Sequence, residues 1–77
     1  MNKECCMASL TIGESGIIKA LTAVGAMRRR LQDMGFIEGA KVECILKSPS
    51  GDPVAFCIRG AVIALRREDS ERIIIAM

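Results

Sequence analysis

Lys41-Val42-Glu43-Cys44-Ile45-Leu46-Lys47, Ser48-Pro49-Ser50-Gly51-Asp52-Pro53 and Val54-Ala55-Phe56-Cys57-Ile58-Arg59 follow one another in the chain. The outer two runs are apolar and alternating, the middle one is a cluster of turn formers, and together they read as a β-hairpin. Successive side chains of a strand point to opposite faces. Val42, Cys44 and Leu46 therefore share one face of the first run, and Val54, Phe56 and Ile58 share one face of the second. On that parity Cys44 is a small buried hydrophobe, and Cys57 falls with Ala55 and Arg59 on the other side. Pro49 and Gly51-Asp52-Pro53 are structural, with the Asp52 carboxylate expected to bond backbone N–H groups of its own turn.

Working outward, Gly60 permits a tight reversal into Val62-Ile63-Ala64-Leu65, a further strand. Arg67-Glu68-Asp69-Ser70 reads as one short helical turn before a last β-branched strand, Arg72-Ile73-Ile74-Ile75-Ala76. Upstream, the turn Gly13-Glu14-Ser15-Gly16 leads into the strand Ile17-Ile18-Lys19-Ala20-Leu21. Between that strand and the hairpin lies a helix from Ala26 to Gly35, where Met27, Leu31 and Met34 fall at i, i+4 and i+7 on one face. Gly35 suits the left-handed position past the helix end, which brings Phe36 back toward Leu31. Glu38-Gly39 is a second turn. The fold class is therefore mainly β: about five short strands rolled into a small, partly open barrel, with one α-helix between the first two main strands.

A chain of 77 residues buries roughly 60% of its extended surface, enough for one small core and no deep interlobe cleft. The expected organisation is a flexible tail over residues 1–9 and one domain over 10–77, since chain ends without a strong pattern are usually loose. There is no His, Trp or Tyr. Without His, Ser-His-Asp and Cys-His nucleophile systems and most catalytic zinc sites are closed off, and no catalytic constellation remains. Without aromatic platforms, base stacking has no basis. The net charge of +2 is spread evenly, with five basic against four acidic residues through Ala40 and six against five beyond, which argues against nucleic acid. No stretch is long and apolar enough for a membrane span or a signal peptide, so a cytoplasmic location is expected.

The four cysteines are Cys5, Cys6, Cys44 and Cys57, with no CxxC spacing. Adjacent Cys5 and Cys6 make a strained disulfide and are the one candidate thiolate pair for a soft metal, set against a reduced tail with no role. The run Arg28-Arg29-Arg30 spreads around the polar side of the helix. It reads either as a solvated face or as contacts to an acidic partner surface. Met27 and Met34 read as core filler or, with Leu31 and Phe36, as the lining of a cleft between the helix and the barrel. Met27, Arg28, Arg30, Leu31, Met34 and Phe36 are thus the candidate partner-binding residues.

With these elements in place, the chain resembles the ferrous iron transport protein A family, small SH3-like domains associated with the bacterial ferrous iron permease. The resemblance is carried by Arg30-Leu31 with Met34-Gly35 and Gly39, then Val42, then Pro49 with Gly51-Asp52-Pro53, then Arg59-Gly60 and Ala64-Leu65-Arg66. The C-terminal SH3-like domain of iron-dependent repressors is similar too. The resemblance implies an SH3-like barrel and a non-enzymatic accessory or regulatory role, docking on the cytoplasmic part of the permease and meeting the membrane only through it. It also implies transition-metal (Fe2+) binding, for which clustered His, Asp or Glu are missing here. Two other roles stay open: an SH3-like module of a metal-dependent repressor system, and a small cysteine-dependent metal-binding protein. Self-association through strand edges is open as well.

Overall fold

The computed structural model describes residues 3–77, and its architecture follows from how six short strands find partners. In chain order these are β1 (Glu4–Cys6), a 3-10 turn over Met7–Ser9, β2 (Ser15–Leu21), α1 (Gly25–Asp33), β3 (Lys41–Lys47), β4 (Val54–Ile58), β5 (Ala61–Leu65), α2 (Arg67–Ser70) and β6 (Ile73–Ala76). The pairing is antiparallel throughout and the strand order is β1-β6-β2-β3-β4-β5. The sheet does not close on itself, so β1 and β5 are its edges. As the residue pattern predicts, the helix sits between the first two main strands and a helical turn precedes the last.

The chain from Glu4 to Ser9 is not a flexible tail. Glu4, Cys5 and Cys6 pair with Ala76, Ile75 and Ile74, and Met7 is fully buried in the core. The physical cause lies at the other end of the chain: β6 pairs β2 on one side, and β1 satisfies the backbone groups on its other side. Met1 and Asn2 lie outside the described residues.

The hairpin forms as the alternation requires, with one exception. Val42 opposes Ile58 and Cys44 opposes Phe56, all four buried. Between Cys44 and Leu46 the register shifts by a bulge, so that Leu46 opposes Ala55 and stands 62% exposed instead of entering the core. The reversal into β5 uses only Arg59 and Gly60, both at positive φ (51° and 83°), the signature of a type I′ hairpin turn.

Helix α1 ends as its sequence predicts. Gly35 has φ 106° and its N–H meets the Gln32 carbonyl at 3.0 Å, while the Phe36 N–H reaches the Leu31 carbonyl at 3.0 Å. This six-to-one bond after a left-handed glycine is a Schellman cap, and it folds Phe36 under the helix. Leu31 and Phe36 are both completely buried, with Ile18, Val42, Phe56, Ile58, Ile73 and Ile75 in the same core. Each such side chain contributes about 1.5–3 kcal/mol through burial.

Asp52 does not cap its own turn as expected. Its Oδ1 accepts the backbone N–H of Arg67 at 2.9 Å, capping the first turn of α2 across the sheet end. Gly16 belongs to β2 rather than to a turn, and an added Cβ there would lie 2.8 Å from Ile75 Cδ1 and 2.9 Å from the Ala76 carbonyl oxygen. Only a glycine lets β2 approach β6 this closely.

Candidate partner surfaces

Helix α1 presents arginines to solvent but offers no apolar cleft. Leu31 and Phe36 are sealed in the core by the Schellman cap, so the expected groove between helix and sheet is filled by this chain's own side chains. Met27 and Met34 are half-buried and pack on that core. Arg28 is exposed and donates from Nη1 to the Leu21 carbonyl at 3.1 Å, which ties it to the end of β2. Arg30 is exposed, and with Arg29, Gly25, Ala26 and Asp33 it lines an open hollow along the helix flank. Just ahead of the helix Val24 is 79% exposed. Of the six residues expected to meet a partner, then, Arg28 and Arg30 face outward, Met27 and Met34 are half-covered, and Leu31 and Phe36 are out of reach.

Sequence parity missed a second surface. On the outward side of β3, β4 and β5, Leu46 opposes Ala55 and Ala55 opposes Ala64, while Cys57 opposes Val62. These five side chains form an apolar face, bordered by Glu43 opposite Cys57, in which Val62 is 65% exposed. The bulge that turns Leu46 outward completes it, and a bulge leaves no trace in a strictly alternating pattern.

The cysteines do not gather. Cys5 and Cys6 are consecutive in a strand, so their side chains leave opposite faces of the sheet and cannot chelate one ion as a pair. The Cys5 thiol points to the Met77 thioether, Sγ to Sδ 3.9 Å. Burial pushes the Cys44 thiol above its ordinary pKa and keeps it protonated, and Cys57 lies half-buried on the other face. Among the described residues, no three His, Cys, Asp or Glu side chains come together as a metal-holding group. No described helix is long and apolar enough to cross a membrane.

Residues 5–77 match the family model described as the FeoA domain. The chain belongs to the FeoA family. A fusion of Fe(2+) transport protein A with the Fe(2+) transporter FeoB from Porphyromonas gingivalis is 31% identical over 67 residues. The match takes in 87% of this chain but only 8% of that much longer protein. Through that fusion the family is linked to Fe(2+) transport. The solution structure of the FeoA protein from Chlorobium tepidum is 30% identical, with a TM-score of 0.87 over 94% of this chain and 69% of that one. FeoA of Stenotrophomonas maltophilia, described as a prokaryotic SH3 domain protein and solved with zinc, is 24% identical. Its TM-score of 0.81, over 91% of this chain and 87% of that one, shows the shared SH3-like fold.

Proposed function

We propose that this FeoA-family chain is a non-enzymatic accessory protein of ferrous iron uptake, acting in the cytoplasm by binding the cytoplasmic part of a ferrous iron permease. The observation that carries the reading is the relative in which a segment like this chain is joined to the transporter FeoB in one protein. In that relative the covalent link holds the two modules at high effective concentration for each other, which supports contact between a domain of this family and the transporter. The residue inventory agrees with a binding role. The chain has no His, and its exposed chemistry is an arginine-bearing helix and an apolar sheet face, both suited to protein contact.

The test is uptake. Radiolabelled ferrous iron enters cells lacking this chain at a rate different from the parent strain, and re-expression of the chain restores the parental rate. Identical uptake with and without the chain contradicts the reading.

A further inference from the structure

Strand β5 is an open sheet edge without the usual protections. Natural edges are blunted by charged residues, proline, bulges or a covering element. The sequence of β5, Ala61-Val62-Ile63-Ala64-Leu65, has no charge and no proline, and its pairing with β4 is regular from end to end. The opposite edge, β1, is shorter and begins with the exposed Glu4.

The hairpin fixes which backbone groups are free. A two-residue turn makes the flanking residues Ile58 and Ala61 a hydrogen-bonded pair, and in antiparallel strands such pairs alternate. Ala61, Ile63 and Leu65 therefore spend their N–H and C=O groups on β4. Those of Val62 and Ala64 point away from the sheet, and among the described residues no hydrogen bond reaches them. The side chains of Val62 and Ala64 belong to the outward apolar face with Cys57, Ala55 and Leu46.

Charge selects the occupant. Arg59 and Arg66 flank β5, and among the described residues the one ion pair is that of Arg67 with Glu71 at 3.3 Å, which leaves both flanking guanidiniums without a carboxylate. A second copy paired antiparallel on β5 would bring Arg59 of one chain beside Arg66 and Arg67 of the other, at both ends of the contact. Like charges set opposite one another across strands oppose pairing.

We infer that β5 receives an extended segment of another protein as an added strand, with apolar side chains at two alternate positions and acidic residues at both ends. The residues opposite Val62 and Ala64 each exchange two main-chain hydrogen bonds, and their side chains extend the apolar face. The acidic ends meet Arg59 and Arg66. The inference rests on the reading of this chain as a protein-binding module but not on which protein it binds, so its test needs no permease.

The probe is a synthetic peptide of alternating valine and threonine with two glutamates at each end, titrated into the isotope-labelled full chain and followed by NMR. The expected result is saturable shifts centred on Val62 and Ala64, with slowed exchange of those two amides. The same peptide with lysine ends should bind at least tenfold more weakly. The Ala64→Pro variant removes an outward donor without touching the β4 ladder, and Val62→Lys places a charge on the edge. Both should melt close to the parent, and both should lose the peptide. Shifts centred on another surface, or binding unchanged in both variants, would overturn the inference. So would dimerisation of the parent that Val62→Lys abolishes, because a second copy would then be the occupant.

Discussion

The Asp52 carboxylate accepts the Arg67 backbone N–H at 2.9 Å, so a residue in the β3–β4 turn caps a helix fifteen positions further along the chain. An uncapped first turn leaves that donor without a protein partner. Asp52→Ala should therefore lower stability by about 1 kcal/mol, and Asp52→Asn, which keeps an acceptor oxygen, by much less. For a domain of this size the alanine variant should melt roughly 4–8 °C lower. Equal melting points for the two variants would show that the cap contributes nothing.

Leu31 and Arg30 are neighbours in α1 with opposite environments. Leu31→Ala should lose about 2–5 kcal/mol because it empties a site in a closed core, while Arg30→Ala should stay within about 0.5 kcal/mol. Urea denaturation of both variants checks this. A mild Leu31→Ala would mean that the helix stands off the sheet.

Gly16 is the contact point of β2 and β6. Gly16→Ala sets a methyl 2.8 Å from Ile75 Cδ1 and 2.9 Å from a carbonyl oxygen, and only the isoleucine end can move. The expected loss is about 1–3 kcal/mol, read from the denaturation midpoint. A neutral substitution would contradict the close approach of these strands.

The Thr11 backbone N–H donates to Glu14 Oε1 at 2.8 Å and holds the Glu14 carboxyl below its ordinary pKa of 4.5. A carboxyl with a lower pKa in the folded state stabilises the fold fully above its unfolded pKa, and loses that effect as pH falls through the folded value. Melting curves of the parent and Glu14→Gln should therefore differ most at neutral pH and converge on acidification below about pH 4.5. A difference independent of pH would show that the bond does not favour the carboxylate.

Where local chemistry decides the structure, the sequence was readable. The glycine at 35 and the spacing of Met27, Leu31 and Met34 anticipated the helix, its cap and the burial of Phe36 toward Leu31, because all of these depend on neighbours within one or two turns. The same cap closed the cleft in which Leu31 and Phe36 were expected to meet a partner, and only the packed structure shows that the helix lies flush. Strand β1 was unreadable because three residues carry no period, and they become a strand only when β6, from the far end of the chain, lies beside them. Leu46 was misplaced by the bulge after Cys44, which reverses parity without a marker residue. The sequence points to local bonds for Asp52, but its acceptor role is spent on Arg67, a partner that only the fold brings near.

The proposed binding of this chain to the cytoplasmic part of a ferrous iron permease can be measured with purified proteins. Its most direct test is calorimetric titration of the purified chain into the purified cytoplasmic region of the permease from the same cells. Saturable binding is expected from the folded chain and none from an unrelated SH3-like domain of the same size. Absence of binding, with both proteins shown to be folded, would contradict the proposal.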